Sequence, residues 1–168
     1  MTPAMTAAAL APLLTTIALV ALGGALGAVA RVRLTACVGN WVAQRRGAAN
    51  VAQATMSRGT PLPIGTIIVN LSGALAIGLV AGSGALGAGS FTGDALASAG
   101  WALGVTGFLG SFTTVSSLAL QTLELADTGH TGRAAFNLCV TLVAGIAAVT
   151  LGYAAGTQLW GPQLWGAA

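Results

Sequence analysis

Four stretches of the chain contain no Asp, Glu, Lys or Arg: residues 1–30, 59–93, 95–123 and 134–168. Each exceeds the roughly 20 apolar residues that carry a helix across bilayer hydrocarbon. Only 5% of the residues are charged and mean hydropathy is +0.87, against about 25% charged in ordinary soluble domains. A soluble protein with so little charge is hard to keep in solution. The chain is therefore read as an all-α membrane protein, one transmembrane domain over 1–168. Its four helices are expected at about 10–36, 64–82, 97–125 and 133–157.

The connections say which side is which. The first, about 37–63, holds Arg45, Arg46 and Arg58, with Arg31 and Arg33 near the end of helix one; the third carries Arg133. The N-terminus, the second connection and the C-terminus have no Lys or Arg. Basic residues mark cytoplasmic loops, so both termini are expected outside. Trp41, Trp101, Trp160 and Trp165 fall at or beyond the expected helix ends, where amphipathic rings anchor a span. Six scattered arginines make no nucleic-acid patch.

Inside the third apolar segment lies a polar, glycine-broken run, Gly107-Phe108-Leu109-Gly110-Ser111-Phe112-Thr113-Thr114-Val115-Ser116-Ser117. A bilayer offers loosened backbone no water, so a break there implies something it binds or lines. Unwound turns expose carbonyls, and a half-helix C-terminus favours a cation such as Na⁺. Neutral donors also recur on helical faces: Thr66 and Asn70 on helix two, Thr114, Ser117 and Gln121 on helix three, Asn137 and Thr141 on helix four. Such groups replace water around an anion or bond helices together. No nucleophile–base pair, metal-ligand cluster or phosphate loop is present, so no enzyme is expected. Proton-coupled export is disfavoured, since Asp94, Glu124 and Asp127 all sit near segment ends.

Four motifs carry a resemblance. Gly23-Gly24-Ala25-Leu26-Gly27-Ala28 followed by Arg31, Gly65-Thr66-Ile67-Ile68-Val69-Asn70-Leu71-Ser72-Gly73, Gly107 through Thr114, and Asn137/Thr141/Gly145 occur in order on the four helices. Together they resemble the CrcB/Fluc family of fluoride channels. The resemblance implies an antiparallel dimer in the plasma (inner) membrane, its third helix broken mid-membrane, passing F⁻ passively out of the cell. It implies a structural Na⁺ held by carbonyls at Gly110 and Thr113. It implies an anion pathway through Asn70, Thr66, Ser116, Ser117 and Thr141, with Arg31 at the vestibule.

The chain departs from that family where two pore phenylalanines are usual, having Val115 and Leu118 instead. Ser111 stands for a Gly and Gln121 for a frequent Glu. Because its arginines lie on one side, a heterodimer with an oppositely oriented homologous subunit is favoured over a homodimer. A non-conducting structural subunit of such a heterodimer is the alternative.

Overall fold

The computed structural model describes residues 7–56, 63–84 and 99–165. The elements are α1 (Ala7–Met56), α2 (Ile64–Ser83), α3, α4 (Val115–Asp127) and α5 (Thr131–Trp165). α3 is a π-helix over Trp101–Leu109, closed by a single α-turn at Gly110–Phe112. Four apolar spans result: Leu10–Arg45, Ile64–Ser83, Trp101–Asp127 and Thr131–Trp160.

Two expected boundaries are corrected, for α5 runs past residue 157 to Trp165. α1 does not end near residue 36 but runs on to Met56. Residues 37–56 contain no Pro and are rich in Ala, Gln and Arg, all good helix formers, so polarity there marks the helix leaving hydrocarbon rather than ending. Trp41 and Trp160 consequently lie within helices, 52% and 45% exposed. Arg58 and Asp94 lie outside the described residues.

Two pairs of helices hold the bundle through bare backbone. On α2, a Cβ added at Gly78 would overlap the Val149 carbonyl of α5, and one at Gly82 the Tyr153 carbonyl. α5 answers in kind: Gly152 lies against the Leu75 carbonyl, and at Gly156 the Leu79 carbonyl oxygen would be 2.5 Å from an added Cβ. Two small-xxx-small rows thus face each other, with the two helices running parallel. Van der Waals contact between backbones is what joins helices where the solvent is itself apolar. The α1–α3 contact is built the same way. Gly23 and Gly27 face the Leu103 and Phe108 carbonyls, while Gly107 packs 2.7 Å (as an added Cβ) from the Val20 carbonyl oxygen.

The α4–α5 turn shows why that hairpin is short. Gly129 takes φ +82°, a left-handed conformation that only glycine adopts freely. Its N–H reaches the Ala126 carbonyl at 2.9 Å and that of His130 the Leu125 carbonyl at 2.8 Å, closing α4 in a Schellman motif. The His130 carbonyl then accepts from Arg133 and Ala134, starting α5. Beside the turn, Asn137, fully buried, donates from Nδ2 to Thr122 Oγ1 at 3.0 Å.

Gly82→Val should lower the unfolding temperature of the detergent-purified protein, since overpacking costs about 1–3 kcal/mol. Gly39→Ala is the control: an added Cβ there meets nothing within 4 Å. It should be neutral or raise stability by up to about 1 kcal/mol.

Candidate functional site

Between Phe112 and Val115 the third span leaves the helix. Thr113 has φ −78°, ψ 156° and Thr114 φ −151°, ψ 118°, both extended. Gly73 of α2 makes the room: an added Cβ would overlap the Thr113 methyl and come within 3.4 Å of Phe112 Cδ1. Phe108 and Phe112 stack at 5.8 Å between ring centroids on the α3 side of the break.

The peptide groups at the break have been redistributed. The Thr114 N–H donates to Asn70 Oδ1 at 2.8 Å, and Asn70 Nδ2 donates to the Thr114 carbonyl at 3.1 Å. The carboxamide thereby serves the extended residue as a neighbouring strand would. Thr113 donates from both its N–H (3.0 Å) and its hydroxyl (2.9 Å) to the Leu109 carbonyl. Thr114 Oγ1 caps α4 by accepting the Ser117 N–H at 3.2 Å and shares further hydroxyl bonds with Ser116 and Ser117.

Two carbonyls lose their helical donors as a result. A continuous helix would give Gly110 the Thr114 N–H and Thr113 the Ser117 N–H. Both N–H groups are engaged elsewhere, with Asn70 and with Thr114 Oγ1. The Gly110 and Thr113 oxygens therefore remain available, at the negative end of a short helix, to a hard cation that takes oxygen ligands. Among the described residues no group of three or more His, Cys, Asp or Glu offers an alternative cation site.

Two cavities flank the break. An open groove of about 610 Å³ is lined by Asn70, Gly110, Thr113 and Thr114, and for most of its length by aliphatic side chains of α2, α4 and α5. Val115, 80% exposed, and Leu118 both face it. On the other side, a cavity of about 490 Å³ is lined by Arg31 and Thr35 of α1, Thr66 of α2, and Thr114, Ser117 and Gln121. Arg31 is the only charged side chain on it. The Gln121 Oε1 atom is buried without a hydrogen-bond partner.

The residues singled out from sequence divide between these spaces. Thr66, Ser117 and Arg31 share the polar cavity; Asn70, Thr141, Gly110 and Thr113 share the groove. Ser116 is exposed, lines neither, and bonds only to Thr114. Thr141 gives its hydroxyl proton to the Asn137 carbonyl at 2.8 Å. Asn70 keeps one N–H beyond its two bonds to Thr114. Thr114 is the residue that sequence reasoning undervalued, for it borders both spaces and joins Asn70, Ser116 and Ser117. The available signal was a Thr with a Ser three positions on at a helix restart, an N-cap pattern.

Replacing Asn70 by Ala should leave the Thr114 N–H and carbonyl unpaired, at about 1–3 kcal/mol for each group that water does not reach. A marked fall in unfolding temperature in detergent is expected. Asn70→Asp should fall similarly, since its second oxygen would oppose the Thr114 carbonyl.

A family model described as "CrcB-like protein, Camphor Resistance (CrcB)" matches residues 18–153. A protein named Fluoride-specific ion channel FluC 2 from Rhodopseudomonas palustris (strain BisB18) is 40% identical over 140 residues, covering 83% of this chain and 92% of the relative. One named Fluoride-specific ion channel FluC from Acidobacterium capsulatum is 37% identical over 141 residues, 83% and 94% of the two chains. Another FluC 2, from Symbiobacterium thermophilum, is 40% identical over 134 residues, 79% and 90%. No solved structure matches.

Proposed function

The chain belongs to the CrcB-like family, and from that premise we propose that it is a fluoride-selective channel subunit that lets F⁻ leave the cell passively. The observation that carries the reading is the polar cavity joined to the break. Thr66 and Ser117 hydroxyls stand with Arg31 around a space free of carboxylates. F⁻ is small and strongly hydrated, so fixed donors must replace the water it sheds. Arg31 raises anion concentration at the mouth. In this reading Thr141 and the spare N–H of Asn70 line the continuation, and the exposed Ser116 hydroxyl completes the path at the subunit surface. The relatives' names are those of channels, and no enzymatic activity is proposed.

The pathway is completed by a second, homologous subunit in antiparallel orientation, seated on the 610 Å³ groove, with the break at mid-membrane. A Na⁺ ion held by the Gly110 and Thr113 carbonyls would supply fixed positive charge at the subunit contact. What supports that ion is the release of those two carbonyls from helical bonding. The subunit sits in the plasma (inner) membrane with both termini outside, an orientation that the one-sided arginines support. That same one-sidedness favours a heterodimer, because a homodimer must insert its copies both ways.

A second reading is a structural subunit that stabilises a conducting partner. Val115 and Leu118 favour it: they face the groove with aliphatic surface where a positive ring edge would attract an anion.

Proteoliposomes holding the chain with its oppositely oriented homologue should release fluoride and retain chloride. Thr66→Val and Ser117→Ala in this chain should each slow fluoride release roughly threefold to tenfold, the worth of one hydrogen bond. Unchanged release from both variants would select the structural reading. Fluoride release from this chain alone, equal to that of the pair, would sink the heterodimer. Replacing Na⁺ by a large organic cation should weaken subunit association, read as the dimer fraction in detergent.

A further inference from the structure

We propose that an outward row on α1, Arg33, Trp41 and Arg45, is a docking strip for anionic phospholipid headgroups. The three residues are spaced by multiples of four and all are exposed. Arg31 and Thr35, by contrast, face the polar cavity. The row therefore uses a part of α1 that the ion site does not. No α1 residue lines the 610 Å³ groove either.

Its depth follows from the contact between α1 and the start of α2. Thr35 lies against Gly65, its Cγ2 2.9 Å from an added Cβ. Gly65 is in the first turn of α2, so Thr35 marks the level at which α2 begins, while α4 runs on to Asp127. Trp41 is six residues further, about 9 Å along the helix axis. The headgroup layer is roughly 5–8 Å thick on each side. Measured from that level Trp41 stands at about its outer edge, within reach of the headgroups that amphipathic indoles contact. Arg33 lies just inside Thr35, and its apolar stem is long enough to carry the guanidinium to the headgroup layer. Arg45 lies over the Trp41 ring, its guanidinium carbon 4.4 Å from the ring centroid, which brings its charge back to the same level.

Charge complementarity selects the occupant. α1 contains no Asp or Glu over its 50 residues, so neither guanidinium has an acid on its own helix. A phosphodiester accepts paired N–H bonds from such a fork, and a net negative headgroup adds attraction that a zwitterion lacks. A soluble acidic protein has no reason to be read at headgroup depth.

The test uses reconstituted protein carrying W101F, W160F and W165F, which leaves Trp41 as the only indole. Brominated phosphatidylglycerol and brominated phosphatidylcholine are compared as quenchers of its fluorescence. Phosphatidylglycerol should be preferred, on the order of fivefold per arginine. The preference should be lost in R33Q/R45Q and reduced at about 0.5 M salt. Equal quenching by the two lipids, or a preference that survives R33Q/R45Q, overturns the proposal and leaves the row to zwitterionic lipid or a soluble partner. Should the triple tryptophan variant fail to fold, native mass spectrometry of the otherwise unaltered chain counts retained phosphatidylglycerol. R33Q/R45Q should retain less; equal retention overturns the proposal.

Discussion

Leaving a peptide group unpaired in an apolar medium costs roughly 2–7 kcal/mol, depending on the reference state. The interruption between Phe112 and Val115 therefore depends on Asn70, whose carboxamide gives Thr114 both a donor and an acceptor. Everything distinctive about the site follows from that exchange. With the Thr114 N–H drawn to α2, the Gly110 carbonyl is released; with Thr114 extended, its hydroxyl is free to cap α4. Asn70 is thus a positioning residue, and one N–H of its carboxamide stays outside the exchange.

The rest of the bundle makes this exchange geometrically possible. α2 and α5 are joined backbone to backbone through Gly78, Gly82, Gly152 and Gly156, and α1 and α3 through Gly23, Gly27 and Gly107. These two pairs behave as stiff slabs. The break and the two cavities lie along the seam between them, where Asn70 of one slab is bonded to the strand-like Thr114 of the other. Long side chains fill the seam only partly, which is why space of 490 to 610 Å³ remains beside helices otherwise in close contact.

Much of this was legible in the sequence because the membrane imposes coarse rules. Uncharged runs gave the number of spans, and glycines with hydroxyls in the third run marked where regular helix would be interrupted. The end of α1 was not legible, since Arg45 and Arg46 read as loop although their intrinsic preference is helical. Nor was the partition of the donors. Thr66 and Asn70 are one turn apart on α2, yet they face different cavities because Thr114 wedges between them. Gly145 and Gly152 share a face of α5 in projection; only Gly152 meets another backbone, while Gly145 meets nothing within 4 Å of an added Cβ and borders the groove. Periodicity assigns a face but not the neighbour beyond it.

The glycine contacts have a consequence for how such a chain can change over time. What holds the chain together is largely backbone against backbone, and of the side chains that border the groove Asn70 and Thr114 carry the main bonds. Val115 is 80% exposed and contributes almost nothing to the interior. Its replacement, or that of Leu118, leaves both slabs and the Asn70–Thr114 bonds untouched. Selection for a well-folded chain is therefore blind to Val115 and Leu118, though not to Asn70. A duplicated copy is free to change at these two positions without passing through an unstable intermediate.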